Sequence, residues 1–160
     1  MKTKFLILLA AVALVACTKP QQPSAQGEAL LNILNADSHS LVVFNDDSLS
    51  YYNGRGVSDL LELVSEEPER LQGAIVADKM IGKAAATLMV AGGVSEVHTN
   101  LICTAAKEVF HQAKVPVFFQ EEVPQILNRD RTGQCPIDAL LNETEDVEQC
   151  VEILKARFQP

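Results

Sequence analysis

The chain has 160 residues, of which 48% are apolar and 21% are charged, and its formal net charge is −8. That length fits one domain, and the composition is that of a globular protein with a buried core, unlike a disordered or fibrous chain. The negative charge argues against nucleic acid as a partner, because phosphate backbones and anionic lipid head groups are both repelled.

The first 17 residues have the pattern of a bacterial export signal. Two lysines among the first four residues precede an apolar run over residues 5–16, which ends in Leu-Val-Ala before Cys17. At about 1.5 Å per residue this run is too short to span a hydrocarbon core of about 30 Å, so it predicts a cleaved signal peptide. The ending resembles the lipobox of bacterial lipoproteins, which implies a lipid on Cys17 and a place in the cell envelope. Thr18 follows Cys17 where an inner-membrane retention signal often has Asp, so the outer membrane is favoured. The alternative to a lipoprotein is an ordinary secreted protein in which Cys17 occurs by chance.

The predicted organisation has three parts. A signal peptide covers residues 1–16, the lipidated cysteine and a flexible tether cover 17–27, and a single domain covers 28–160. The tether is polar, contains Pro20 and Pro23, and shows no hydrophobic periodicity, as expected of a linker between lipid and domain.

From residue 28 onward, helical patterns alternate with short apolar runs, which predicts an α/β domain with helices covering a sheet. Residues 46–48 separate two β-like runs, so those strands are expected to pair antiparallel. The later alternation of strands and helices favours parallel neighbours, so the sheet should be mixed, with about five strands. In chain order we predict a helix at 28–35, strands at 40–45 and 49–52, a helix from Val57 with Ser58 as its cap and Pro68 at its end, a strand at 73–77, a helix at 80–91 ended by Gly92-Gly93, a strand at 94–99, a helix at 104–113 with Ala105, Val109 and Ala113 on one face, a strand at 115–119, and a last amphipathic helix at 147–158.

The first candidate site is the segment after the central strand, which reads Asp78-Lys79-Met80-Ile81-Gly82-Lys83. Its pattern places it between a buried strand and a helix, where free N–H groups and the helix dipole favour an anion. Lys79 and Lys83 are expected on one helix face, where they would bind a phosphate or a carboxylate. The segment lacks the glycine pattern of a P-loop or a dinucleotide site. The alternative is that Asp78 caps the helix and both lysines are solvated.

The second candidate site is the polar loop at residues 128–138, NRDRTGQCPID. Pro136 suits the first position of a short helix, which makes Cys135 its N-cap residue. A thiol at a helix N-terminus has a lowered pKa, and an arginine of the loop would lower it further, although Asp138 in the first turn opposes this. Cys135 is therefore the candidate nucleophile. The alternative is a small buried residue in a structural turn.

Spacing argues against metal and serine-hydrolase sites. His39, His98 and His111 are scattered singly, and no Cys-x-x-Cys or His-x-Glu pattern occurs, so no zinc or other cofactor is expected. The Gly-x-Ser-x-Gly elbow of serine hydrolases is also absent from the sequence.

Besides Cys17 the chain has three cysteines, Cys103, Cys135 and Cys150. In an oxidising compartment an odd number leaves an unpaired thiol or an intermolecular bridge. Cys150 lies beside the apolar stripe of the last helix and is expected in the core. Cys103 precedes a helix, and the sequence leaves open whether it is a core residue or a reactive thiol.

Three segments carry a family resemblance: GRGV with LLE at 54–57 and 60–62, GAIVADKMIGKAAATLMVAGGV at 73–94, and VPQILNRDRTGQCPID at 123–138. Together they resemble a bacterial and archaeal family, domain of unknown function 1893, which is grouped with the cytidine deaminase-like superfamily. The likeness runs over residues 27–158. It implies a three-layer α/β/α sandwich with a mixed five-stranded sheet.

The resemblance does not imply deamination. Deaminases of that superfamily begin one helix with His- or Cys-x-Glu and the next with Pro-Cys-x-x-Cys, which supply the zinc ligands and the general acid/base. The corresponding positions here read Asp78-Lys79-Met80-Ile81 and Cys135-Pro136-Ile137-Asp138, so the ligands are missing. The same equivalence puts Asp78, Lys79 and Lys83 near Cys135, because the two helices start side by side at the sheet's edge.

Three functions follow as hypotheses. The leading one is a lipid-anchored, deaminase-like domain that binds a small anionic ligand, nucleotide-like or phosphorylated, without zinc. Its candidate ligand-binding residues are Arg55, Lys79, Gly82, Lys83, Asn128, Arg129, Thr132 and Gly133. The second is a thiol enzyme with Cys135 as nucleophile and Asp130 or Asp78 as base or orienting group. The third is a non-catalytic envelope protein whose acidic face meets a partner.

Overall fold

The fold is built on a five-stranded sheet with helices on both faces. The computed structural model describes residues 21–158, so the predicted signal peptide at 1–16 and the predicted lipidation of Cys17 lie outside the described residues. No helix within 21–158 combines the length and the apolar character needed to cross a membrane. In chain order the elements are α1 (Ala25–Ala36), β1 (Leu41–Asn45), β2 (Ser48–Tyr52), α2 (Ser58–Glu66), a 3₁₀ helix (Pro68–Arg70), β3 (Ile75–Ile81), α3 (Lys83–Ala91), β4 (Glu96–Cys103), α4 (Thr104–Ala113), β5 (Val117–Val123), α5 (Pro136–Ala139) and α6 (Val147–Phe158).

The strands lie in the order β2-β1-β3-β4-β5. Strand β1 pairs antiparallel with β2 and with β3, whereas β3, β4 and β5 are parallel neighbours. Asp46 and Asp47 close the β1–β2 hairpin with φ angles of 46° and 58°, which match the strand twist in a two-residue turn. The predicted mixed sheet of five strands and its antiparallel hairpin are confirmed.

The two faces of the sheet are covered unequally. Helix α1 packs on one face, where Leu30 and Leu34 join Val42 and Ala77 in a small cluster. Helices α2, α3, α4 and α6 pack on the other face and share the larger core. The buried alanines of α3, residues 84–86, let this helix lie close to its neighbours. The α/β sandwich with helices on both sides is confirmed.

The central strand runs further than its sequence pattern predicts. Strand β3 continues to Ile81, and α3 begins at Lys83 rather than at residue 80. The reason is pairing, because β3 still pairs with β4 where Ile81 lies opposite Ile102, and such tertiary pairing overrides the helical propensity of a short segment. Met80 and Ile81 are strand residues and Gly82 is the N-cap, so the first turn of the helix predicted at 80–91 is wrong.

Helix α1 begins earlier than predicted. The Ser24 hydroxyl accepts the Gly27 N–H at 3.0 Å and caps the helix, while the N–H and hydroxyl of Ser24 donate to the Glu96 carboxylate at 3.0 and 2.6 Å. His98 Nε2 donates to the same oxygen at 2.6 Å. Gly27 is needed here, because a Cβ would come within 1.8 Å of that nitrogen. Residues 25–27, which were predicted as the end of a tether, therefore lie in α1 of the folded domain.

Two smaller details of the helices also differ. Ser58 is the first residue of α2, whose N-cap is Val57 with no side-chain hydrogen bond. The bounds of α4 match the prediction, but its buried residues are Ala106, Val109 and Phe110. Of the predicted face, only Val109 is buried, since the helix packs its larger Phe110 side chain into the core.

Candidate functional site

Two adjoining cavities open at the carboxyl ends of the parallel strands, the edge where α/β sheets commonly bind ligands. Both cavities are lined by Met80, Ile126, Leu127, Asn128 and Arg129. Cavity A has a volume of about 550 Å³, and its remaining lining residues are 56–57, Gly82, Ala85 and 135–138. Cavity B has a volume of about 680 Å³, and its remaining lining residues are Leu101, 123–125 and Arg131.

A buried carboxyl group joins α5 to the start of α3 at cavity A. Asp138 Oδ1 accepts the Ala84 N–H at 3.0 Å, and the side chain is only 5% exposed. A Cβ on Gly82 would meet Asp138 Oδ2 at 2.2 Å, so only glycine leaves room for this contact. Burial raises the pKa of Asp138 above its usual range, while the hydrogen bonds from the Ala84 and Lys83 backbone oppose the rise. Asp138 thus supplies the N-terminal cap that α3 lacks in its own sequence.

Lys83 has a structural partner and not a free ammonium group. Its Nζ donates to the carbonyl oxygens of Leu141 and Thr144 at 2.8 and 2.7 Å. The Lys83 side chain therefore holds the segment that follows α5, because it satisfies two carbonyl oxygens of that segment. Two of its donors point at backbone oxygens and Lys83 lines neither cavity, so its role as an anion partner stays a prediction. The Gly82 N–H end of the helix is likewise covered by Asp138.

Asp78 and Lys79 lie on β3 and line neither cavity. Asp78 does not cap α3; its Oδ1 accepts the Met80 N–H at 2.9 Å. Burial, with the nearby charge of Asp59, raises the pKa of Asp78 to about 7 against that hydrogen bond. Lys79 Nζ lies 3.4 Å from the Asp37 carbonyl at the end of α1, on the other sheet face, since side chains alternate along a strand. The expected common helix face of Lys79 and Lys83 is wrong.

Most of the polar loop serves to build its own turn. Asn128 Oδ1 accepts the Thr132 N–H at 2.9 Å, its Nδ2 donates to the Thr132 hydroxyl at 3.0 Å, and its backbone N–H donates to the Gly133 carbonyl at 2.9 Å. Arg131 turns the chain with a φ of 55°. Asp130 is exposed in this turn and lines neither cavity. Thr132 and Gly133 therefore hold the loop in shape, and only Asn128 of the three lines the cavities.

Cys135 occupies the predicted place before α5. It is the N-cap residue, Pro136 follows at the first helical position, and the thiol makes no capping hydrogen bond. The side chain is half-buried and lines cavity A, whereas Cys103 and Cys150 are buried, and all three thiols are free. The core position of Cys150 is confirmed, and Cys103 resolves as the buried N-cap of α4, whose sulfur accepts the Ala106 N–H at 3.4 Å.

The arginines separate into two regions. Arg129 is exposed, lines both cavities, and has no hydrogen bond or ion pair from its side chain among residues 21–158. Arg55 instead lines a separate depression beside Glu62 and Glu66. The site thus brings Arg129, Asn128, Gly82 and Cys135 together and leaves Arg55, Lys79, Asp78 and Asp130 outside. Within the described part of the chain, no group of three or more His, Cys, Asp or Glu side chains is placed to hold a metal ion.

Sequence reasoning missed the apolar walls of the site. Met80 and Leu127 are 49% and 45% exposed and line both cavities. The signal in the sequence was the apolar pair Ile126-Leu127 directly before a polar loop. The cap formed by Asp138 was also missed, and Gly82 at the N-cap position of a helix was the only local sign of it.

Comparison with known proteins places the chain beside one family. The family model described as TM1506, domain of unknown function (DUF1893), matches residues 29–158. A crystal structure of a DUF1893 family protein (TM1506) from Thermotoga maritima is similar, with a TM-score of 0.77, 25% identity, and coverage of 86% of this chain and 93% of that one. RibD from Acinetobacter baumannii matches at a TM-score of 0.42 and 13% identity, over 59% of this chain and 34% of RibD. That likeness is too slight to inform on fold or activity, so the resemblance to cytidine deaminases stays a prediction. No curated protein matches.

Proposed function

We propose that this chain, which belongs to the DUF1893 family of domains of unknown function, binds a small anionic organic molecule, nucleotide-like or phosphorylated, in cavities A and B without zinc. The observation that carries the proposal is the side chain of Arg129. Arg129 lines both cavities, and its guanidinium has no partner among residues 21–158. A planar guanidinium binds phosphate or carboxylate through paired hydrogen bonds.

The surroundings of Arg129 support a ligand with an apolar body. Met80, Ile126 and Leu127 line both cavities and present apolar side chains there. Small-molecule sites are typically apolar concavities with a few polar groups that fix orientation. Since Lys79 and Lys83 have partners elsewhere, recognition of the anion rests on Arg129, joined in cavity B by Arg131.

The test is a calorimetric titration of the chain with phenyl phosphate and with adenosine monophosphate. Arg129→Gln should weaken binding of whichever probe binds by about ten- to one-hundredfold, the value of a charge-assisted hydrogen bond. Arg55→Gln is the matched control, because Arg55 is an arginine outside both cavities, and it should leave the affinity unchanged. Equal weakening by both variants would overturn the proposal, since it would reflect overall charge alone.

One observation keeps the thiol-enzyme alternative, namely that Cys135 is half-buried and lines cavity A while the other two described cysteines are buried. Cys135→Ala belongs in the same titration. Unchanged affinity with no reaction of the probe supports simple binding. Conversion of the probe that stops in Cys135→Ala would support a nucleophilic thiol. If no probe binds to any variant, the interaction-protein alternative gains support.

We also propose that Cys17 carries a lipid that anchors the domain in the cell envelope, with the outer membrane favoured. The lipobox-like sequence supports this, and α1 starting at Ala25 leaves only a short linker after Cys17. In membrane fractionation of cells, Cys17→Ala should move the protein from the membrane fraction to the soluble fraction, since several acyl chains are needed for stable anchoring. A membrane fraction unchanged by the substitution would contradict the anchor.

A further inference from the structure

Strands β3 and β4 share an irregularity at the same level of the sheet. The pairing joins Asp78 with Thr99 and Met80 with Leu101, but it skips the residues between them. In each strand a side chain takes up an amide two residues further on: Asp78 Oδ1 accepts the Met80 N–H at 2.9 Å, and Thr99 Oγ1 accepts the Leu101 N–H at 3.3 Å. Both contacts lie directly at the gap in the pairing, because each one spans the unpaired residue between its donor and its acceptor.

The shared break supplies apolar surface to cavity B. Met80 and Leu101, which follow the two hydrogen-bonded turns, both line this cavity, and Met80 is 49% exposed. The lining also includes Val123, Pro124, Ile126 and Leu127. Arg129 and Arg131 line the same cavity, and neither side chain has a partner among residues 21–158. The cavity therefore combines an apolar wall with two cationic groups.

Polar recognition groups are scarce in cavity B. Apart from the arginines, its polar side chains are Gln125 and Asn128, and the Asn128 amide is already bonded to Thr132 on both sides. A ribose or a nucleobase brings several donors and acceptors, and the apolar wall of cavity B offers them no hydrogen-bond partner. An alkyl chain brings none. The lining thus matches the chain of an amphiphile better than it matches a nucleoside.

We propose that cavity B binds the alkyl chain of a soluble single-chain amphiphile whose phosphate or carboxylate head contacts Arg129 and Arg131, an inference that rests on the proposed anion site and specifies its ligand. The positive charge of the two arginines complements the head group, and the six apolar residues cover the chain. Asp78 and Thr99 act as positioning residues, because their hydrogen bonds hold the strand segments that carry Met80 and Leu101.

The test is a titration with butyl, hexyl and octyl phosphate, each below the concentration at which it forms micelles. Affinity should rise about threefold for each added methylene, as expected for partial burial of a chain. Leu101→Gln should flatten this dependence on chain length, because Leu101 lines cavity B and does not line cavity A. Leu31→Gln is the matched control, since Leu31 is a half-buried leucine of α1 that lines neither cavity. Leu127→Gln, at an exposed position, replaces Leu101→Gln if that variant does not fold.

Four outcomes would overturn the inference. If butyl and octyl phosphate bind with equal affinity and Arg129→Gln abolishes the binding of both, the anion site is supported and the alkyl-chain site is contradicted. Tighter binding of adenosine monophosphate than of octyl phosphate would identify a nucleotide-like ligand instead. Sedimentation with dioleoylphosphatidylglycerol vesicles, without binding of any soluble alkyl phosphate, would assign the surface to a bilayer. Absence of binding by every probe would remove the anion site as well.

Discussion

Asp138→Ala is expected to lower the free energy of unfolding by about 2–3 kcal/mol, which makes it one of the most damaging changes at the site. The carboxyl oxygen accepts the Ala84 N–H at 3.0 Å at the start of α3. Alanine leaves that buried amide without an acceptor, and it also removes the contact between α5 and α3. Urea denaturation followed by circular dichroism measures the loss.

Two further variants test whether the loss of stability comes from the contact between Asp138 and the start of α3. Asp130→Ala removes an exposed carboxylate from the neighbouring turn and should change stability by less than about 0.5 kcal/mol. Gly82→Ala approaches the same contact from the helix, because its Cβ would stand 2.2 Å from Asp138 Oδ2 and push the carboxyl away. A loss in Asp138→Ala no larger than that in Asp130→Ala would mean that the cap does not stabilise α3.

The architecture was predictable because its signals are local. Helix α4 matches its predicted bounds, and α6 covers the predicted residues 147–158. Helix α3 ends at Gly92-Gly93, where Gly93 has a φ of 75° that glycine adopts without strain, and α5 begins at Pro136, whose fixed φ suits the first helical position. Alternation of such elements is enough to give a mixed sheet with helices on both faces.

The ends of the parallel strands were not predictable in the same way. Residues 78–80 have no strong strand propensity, and they are extended because β4 lies beside them. Pairing partners 21 positions away decide their conformation, as where Ile81 pairs with Ile102. This shift moved Lys79 off the expected helix and onto the sheet face beside α1.

The positions of the candidate site residues were predictable only where local sequence decides them. Cys135 and Arg129 lie where the loop sequence places them, since Pro136 fixes the start of α5 within that loop. The role of Lys83 depends on the Leu141 and Thr144 carbonyls, which are 58 and 61 positions away. Nothing within one helical turn of Lys83 reports that contact.

Asp78→Asn is expected to stabilise the protein at high pH and to leave it nearly unchanged at low pH. The pKa of Asp78 is raised to about 7 in the folded chain, first by burial and then by the charge of Asp59. An unfolded aspartate titrates near 3.9. Between about pH 4 and pH 7 the folded chain therefore holds a proton that the unfolded chain has lost, so stability falls as the pH rises through that window. Asparagine does not titrate, and its amide oxygen can still accept the Met80 N–H.

The expected gain at pH 8 is about 2–4 kcal/mol, the larger figure being the full shift of about three pKa units converted to free energy. Since Asp138 also has a raised pKa and Glu96 a lowered one, the pH dependence of either protein alone mixes several groups. The difference between Asp78→Asn and the parent chain cancels those contributions. Urea denaturation at pH 4, 6 and 8 should show that difference growing with pH. A constant difference would mean that Asp78 keeps an ordinary pKa, and a difference that grows toward pH 4 would mean that the folded protein favours its charged form.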